Sequence, residues 1–341
     1  MSDAPLALSL GEPGGIGPEI AVKAWEAMRE DGPAFFAVGD AAAIDRASPL
    51  SGATVRIADP DEAGAAFADA LPVIDRPLAI AVEPGQPSSA AAASVVGWIA
   101  EAARLTLEGR ASALVTGPIA KNTLYEGGFA FPGHTEFLGQ LAGAKEDGGR
   151  GPVMMLVAGD LRASLVTIHE PLARVPSLLT KAAIVNAGLV TARALQADFG
   201  FEAPRLAVAG LNPHAGEDGS IGREETETIG PAVAALRAAG VDARGPFPAD
   251  SLFHAEARSR FDGALCLYHD QALIPAKLID FWGGVNLTLG LAIVRASPDH
   301  GVALDIAGKG LARPDSLIAA LRLAHDIAKR RARAGISRCS S

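Results

Sequence analysis

The chain has 341 residues, 49% hydrophobic and 20% charged, a globular composition with material for two domains or one large one. Its net charge of −9, from 30 Lys and Arg against 39 Asp and Glu, makes nucleic acid a poor partner. Two cysteines give no disulfide framework and point to a reducing cytoplasm; the N-terminal Met-Ser-Asp-Ala-Pro lacks the basic and apolar regions of a signal peptide, and no run of about 18 uninterrupted apolar residues is present to span a membrane.

Residues 6–10 read as a strand, followed by a glycine-rich turn and a helix from about Pro18 to Arg29, with Pro18 suited to the first turn. Residues 34–38 read as a second strand. Ser88 or Ser89 is placed to cap an Ala-rich helix that stops at Gly109, and 111–116 reads as the next strand. A helix over 135–143 follows the Phe131-Pro132-Gly133 turn. Residues 153–168 form two apolar runs around Gly159-Asp160, the signature of a β-hairpin, so the sheet is expected to be mixed. Helices are expected near 176–198, 224–239 and 315–334, the last ending in the basic turn 329–333, which complements the helix dipole. Short strands alternating with long helices indicate an α/β fold.

Three of the seven histidines, His169, His214 and His269, each stand just past an apolar, strand-like run. In an open α/β sheet the carboxyl ends of parallel strands share one edge, where ligands bind. Three neutral imidazoles there suit an open divalent-metal site, with Glu170, Asn212 and Asp270 as orienting neighbours. The plainer alternative is three separate turn residues, each satisfied by a local hydrogen bond. The loop 11–19 can receive an anion at a helix N-terminus or serve only as a tight turn; it matches neither the dinucleotide nor the phosphate-loop fingerprint. His134 and Thr135 are adjacent donors suited to a phosphate or carboxylate, or else open a helix as a capping-box variant. Lys277, Asn286 and Arg295 lie downstream of His269, and cations at element ends suit a phosphorylated substrate.

Six stretches then carry a resemblance: Gly-Glu-Pro-Gly-Gly-Ile-Gly-Pro-Glu (11–19), Val-Thr-Gly-Pro-Ile-Ala-Lys (115–121), Gly-His-Thr-Glu (133–136), Gly-Leu-Asn-Pro-His-Ala-Gly-Glu (210–217), Tyr-His-Asp-Gln (268–271) and Val-Asn-Leu-Thr-Leu-Gly-Leu (285–291). In this order, over nearly the whole chain, they resemble the 4-hydroxythreonine-4-phosphate dehydrogenase family of pyridoxal phosphate synthesis. Gly14, Ala292 and Ala296-Ser297-Pro298 depart from the usual pattern, and none removes a site residue.

The resemblance implies an isocitrate/isopropylmalate-dehydrogenase-like fold with two α/β/α domains around a central cleft. Residues 1–125 with 280–341 would form the outer, cofactor-side domain, and 126–279 the central domain with the metal ligands and dimer interface. It implies a cytoplasmic homodimer with the active site between subunits. One divalent ion (Zn, Mg or Co) would be held by His169, His214 and His269, partly shared across the dimer. Substrate contacts would be His134, Thr135, Lys277, Asn286 and Arg295, with Lys277 and Asp250 as catalytic residues. Asp299, His300, Gly301 and Asp305 would line the NAD or NADP site, in a loop running to Gly310. The implied reaction is oxidation of the C3 hydroxyl of 4-phosphooxy-L-threonine, followed by decarboxylation. The alternatives are a paralogue acting on 4-phospho-D-threonate or D-erythronate, a metal-dependent phosphohydrolase or aldolase, and a non-catalytic anion-binding protein.

Overall fold

A computed structural model describes residues 4–47, 52–129, 131, 134–142 and 151–335, and only the backbone of 134–136 and 138. Twelve strands appear among these residues. They are β1 (Leu6–Ser9), β2 (Phe35–Gly39), β3 (Thr54–Ile57), β4 (Leu71–Asp75), β5 (Leu114–Thr116) and β6 (Val153–Ala158). They continue with β7 (Leu161–Leu165), β8 (Arg205–Ala209), β9 (Asp242–Phe247), β10 (Gly263–Cys266), β11 (Val285–Leu289) and β12 (Arg295–Pro298). The chain divides into two compact units, Met1–Gly143 with Leu291–Lys329 and Ser337–Ser341, and Ala144–Gly290 with Arg330–Ile336.

In the first unit the strand order is β3-β4-β2-β1-β5-β12, and every pairing is parallel. β1, β2 and β5 are buried throughout, as expected of strands covered on both faces. Helix Gly17–Met28 carries Pro in its first turn and needs no side-chain cap. Trp98 and Phe35 are among the largest fully buried side chains here, and Trp98 Nε1 donates to the Arg76 carbonyl at 3.0 Å.

Helix Ala92–Leu107 starts later than its serines suggest. Ser88 precedes a short 3₁₀ turn, Ser89–Ala91, and its side chain makes no capping bond. The span Ser89–Leu107 is long and apolar enough to cross a membrane by length and composition. It lies against β1, β2 and β5, with Val95, Trp98, Ile99 and Ala102 buried, as a core helix does.

In the second unit the order is β11-β6-β7-β10-β8-β9. β11–β6 and β6–β7 are antiparallel, and the remaining pairings are parallel, so the sheet is mixed as expected. The hairpin closes through Ala158↔Leu161 around Gly159, whose φ of 56° suits a two-residue turn. Two expected helices are interrupted. The first breaks at Leu179 and resumes as Lys181–Ala197, where Thr180 Oγ1 caps Ala183 N at 3.1 Å. The second opens with a π-helical turn, Glu225–Ile229, before Gly230–Ala238. The core of this unit joins Met154, Leu156, Leu161, Leu165 and Cys266 to Ala272 and Ala276 of helix His269–Ile279.

Candidate active site

The three strand-end histidines follow three neighbouring parallel strands, β7, β10 and β8, so their loops leave one edge of the sheet. Beyond β7 and β10 the pairing continues: Val166 N donates to Cys266 O at 2.9 Å, and Thr167 Oγ1 donates to Leu267 O at 2.7 Å. This keeps two chain ends parallel until their histidines. The His169 and His269 rings lie 5.6 Å apart between centroids, tilted by 43°. His269 opens helix His269–Ile279, and its Nδ1 sits 2.7 Å from Asp270 Oδ1. That contact fixes one ring nitrogen and leaves Nε2 for a ligand.

His214 is held differently. His214, Ala215, Gly216, Glu217 and Asp218 all have positive φ, between 42° and 81°. The left-handed conformation costs a non-glycine residue about 1–2 kcal/mol, so the surroundings must enforce it. Buried Glu225 does much of this. Its carboxylate accepts from Leu211 N and Asn212 N, both at 2.7 Å, and from Asn212 Nδ2 at 2.9 Å. Burial pushes the Glu225 carboxyl upward, but these donors outweigh it and hold the group below the usual carboxylate range. The His214 ring is exposed, with Nδ1 2.6 Å from Glu217 Oε1. That bond, then the charge of Glu217 and more weakly that of Asp250, raises the imidazole above its ordinary value.

Two of the three imidazoles are therefore brought together, and the third lies at the same sheet edge, turned toward Glu217. Among the described residues no three His, Cys, Asp or Glu side chains of one chain converge as a metal site. The His169–His269 pair, with Asp270 steering one ring, fits part of a nitrogen ligand set. Asp250 is exposed, on the short helix Ala249–Leu252.

The expected anion contacts occupy both units. Lys277 stands about two helical turns past His269, its Nζ 5.2 Å from the centre of the Phe281 ring. Asn286 is mid-β11, and its Oδ1 is buried with no hydrogen-bond partner among the described residues. Arg295 opens β12 with 2% of its surface exposed, and its Nη2 donates to Thr116 Oγ1 at 2.6 Å. Burial pulls its guanidinium down to about 10, where it still carries its charge at neutral pH. Thr116, at the end of β5, was not singled out in the sequence; its place in the Val-Thr-Gly-Pro motif was the available signal. The backbones of His134 and Thr135 open helix His134–Ala142, and their side chains lie outside the described residues.

The glycine-rich loop 11–17 serves packing. A Cβ on Gly17 would fall 2.4 Å from Leu10 O, and Gly11, at φ 80°, would set one 2.4 Å from Pro118 O. Glu12 is buried inside the turn, accepts from Gly14 N at 3.1 Å, and burial raises its carboxyl. An acidic group there disfavours an incoming anion. The motif's last residue, buried Glu19, reaches the segment after β12. Its Oε1 accepts from Ala312 N at 2.9 Å and from Lys23 Nζ at 2.8 Å. Lys23 Nζ also donates to Gly310 O at 2.9 Å and Ala312 O at 2.7 Å. Ile16 N donates to Val302 O at 3.0 Å. The loop of Asp299, His300, Gly301 and Asp305 is thus tied down at both ends. Asp299 N donates to Ser316 Oγ at 3.0 Å, His300 Nδ1 lies 3.0 Å from Gly301 O, and Asp305 is exposed.

The chain is similar along its length to proteins of one description. It is 61% identical over 333 residues to a 4-hydroxythreonine-4-phosphate dehydrogenase of Caulobacter vibrioides, covering 97% of this chain and 99% of that one. A protein of the same name from Maricaulis maris is 53% identical over 335 residues, covering 96% and 98%. The crystal structure of 4-hydroxythreonine-4-phosphate dehydrogenase from Klebsiella pneumoniae superposes with a TM-score of 0.83 at 36% identity, covering 95% of this chain and 98% of that one. Residues 32–324 match the family model described as pyridoxal phosphate biosynthetic protein PdxA. The chain belongs to the PdxA family.

Proposed function

We propose that this chain is a 4-hydroxythreonine-4-phosphate dehydrogenase. It oxidises the C3 hydroxyl of 4-phosphooxy-L-threonine with NAD or NADP to 2-amino-3-oxo-4-phosphooxybutanoate. That β-keto acid loses its carboxyl group as carbon dioxide and gains a proton at C2, giving 3-amino-2-oxopropyl phosphate. The observation that carries the reading is the His169–His269 pair at two adjacent parallel strand ends, with His214 following the next strand. Whole-chain membership of the family supports it.

His169, His269 and His214 would hold one divalent ion of zinc, magnesium or cobalt, with the site completed by a second copy of the chain. The ion, when bound, would supply Lewis acidity toward the reacting hydroxyl, and the dinucleotide would supply the hydride acceptor for C3. The protein's own groups bind, orient and move protons. Arg295 and Asn286, with His134 and Thr135, hold the phosphate and carboxylate, so that the C3 hydrogen faces the nicotinamide. Lys277 and Asp250 carry the proton lost from the hydroxyl. The loop of Asp299, His300, Gly301 and Asp305 receives the dinucleotide.

A homodimer is supported by an apolar surface next to the ligand pair. Ile274, Leu278, Phe281 and Trp282 are exposed by 68%, 86%, 58% and 51%, on and just after the helix that carries His269 and Lys277. Such a cluster marks an interaction surface. The test is an NAD(P)-reduction assay across 4-phosphooxy-L-threonine, 4-phospho-D-threonate and 4-phospho-D-erythronate, with and without a chelator. The expected result is turnover of the L-threonine derivative, abolished by chelation and restored by divalent metal. Turnover confined to the D-acids refutes the substrate, and chelator-insensitive turnover refutes the metal.

A further inference from the structure

We infer that Gln271 and Thr167 are positioning residues that set the spacing of the three strand-end histidines. This rests on the metal-site reading above. Gln271 is buried in the first turn of the helix that begins at His269. Its Oε1 accepts from Leu267 N at 2.7 Å, two residues before His269. Its Nε2 donates to Gly210 O at 2.7 Å, at the root of the loop that carries His214. One amide therefore clamps the ends of β10 and β8 together. Thr167, also buried, joins the third strand: its Oγ1 donates to Leu267 O at 2.7 Å, two residues before His169.

The result is a continuous chain of contacts, Thr167 to Leu267 to Gln271 to Gly210, running across three strand ends just below three histidines. Leu267 supplies both its N–H and its carbonyl to it. Side-chain amides suit this task because one group both accepts and donates. Buried hydrogen-bond networks of this kind fix one arrangement when every member is satisfied. Both Gln271 and Thr167 are oriented away from solvent and into backbone, so their chemistry is spent on geometry. Neither touches a histidine ring by any of these bonds, so their effect passes through backbone placement.

The experiment uses full-length protein stripped with a chelator and titrated with Zn²⁺ alone, in competition with a chromophoric chelator. The variants are Gln271→Met, which keeps length and removes both bonds, and Thr167→Val, which keeps shape and removes the hydroxyl. Melting temperature of the metal-free protein is measured in parallel. Gln271→Met is expected to weaken Zn²⁺ binding about 10- to 100-fold, the usual effect of removing support behind metal ligands. Thr167→Val is expected to weaken it by about 3- to 10-fold, since the backbone bond from Thr167 N to Leu267 O persists. A lowered melting temperature with unchanged Zn²⁺ affinity in both variants overturns the inference and leaves the metal site standing. Wild-type protein that binds no Zn²⁺ saturably overturns the metal reading and this inference with it. Should Gln271→Met fail to fold, Thr167→Val carries the same two outcomes.

Discussion

The Glu19 carboxylate and the Lys23 ammonium meet at 2.8 Å one helical turn apart, and together they hold the chain at Gly310 and Ala312. Sequence alone offers an ordinary i,i+4 helix pair worth a few tenths of a kcal/mol. Here Glu19 is buried and both partners also bind backbone that ends the proposed dinucleotide loop. Lys23→Met should therefore raise KM for NAD or NADP several-fold, with KM for the phosphorylated substrate unchanged. Hydrogen exchange over 299–312 should rise in the cofactor-free protein. Equal changes in both KM values would show a general loss of structure and refute the latch.

Arg295 predicts a separation of binding from stability. Burial strips hydration from the guanidinium, whose Nη2 donates to Thr116 Oγ1 at 2.6 Å, and replacing a buried charge by an apolar side chain of similar volume is often close to neutral for stability. Arg295→Met fills the space without the charge. It should leave the melting temperature within about 3 °C of wild type, since a change of about 1 kcal/mol is worth 2–4 °C in a chain region of this size. KM for the phosphorylated substrate should rise by about 100-fold, the worth of a charge-assisted contact to an anion. A large fall in melting temperature with normal KM would make Arg295 a structural residue.

Much of this arrangement is legible in the chain. Gly159-Asp160 between two apolar runs announces the hairpin, because a two-residue turn needs the positive φ that glycine supplies at no steric cost. The strand-end histidines are legible because a polar residue closing an apolar run marks the end of a strand. The left-handed turn 214–218 is not, since only Gly216 among its residues favours positive φ. Its cause is Glu225, which reads as one more surface acid in Arg-Glu-Glu-Thr-Glu and is in fact a buried acceptor for the loop. Gln271 is hidden for the same reason: its two partners belong to different strands. The missing Ser88 cap is a local failure, because the chain enters that helix through a 3₁₀ turn.

Acid should weaken the second unit through Asp262. Arg205 donates from Nε at 3.1 Å, from Nη2 at 2.9 Å and from its backbone N at 2.8 Å, holding the Asp262 carboxyl below its ordinary range. A depressed carboxylate contributes stability that is present above its unfolded value, about 3.9, and is lost as pH falls through the lower folded value. Arg205 is partly exposed, so solvent screening limits the pair to about 0.5–1 kcal/mol. Urea unfolding of wild type and Arg205→Met should differ by that amount from pH 5 to 7, and the two should converge as pH falls below the ordinary carboxylate range and through the lowered folded value. A difference that grows on acidification would contradict this assignment.

Asn286 offers the clearest trade between stability and function. Its Oδ1 is buried in β11 without a hydrogen-bond partner among the described residues, while its neighbours Val285, Leu287, Thr288 and Leu289 are well packed. An unsatisfied buried acceptor costs about 1–3 kcal/mol, so a polar residue kept there needs a compensating role. Substrate binding supplies one: a hydroxyl, ammonium or protonated phosphate oxygen can donate to that atom when bound. Asn286→Val removes the acceptor and places a β-branched residue in a strand, which strands favour. The variant should melt a few degrees higher than wild type. Its KM for the phosphorylated substrate should rise at least about tenfold, the loss expected for one hydrogen bond in a desolvated site. A variant that is less stable and binds substrate normally would show that Asn286 serves the sheet, and would remove it from the substrate contacts.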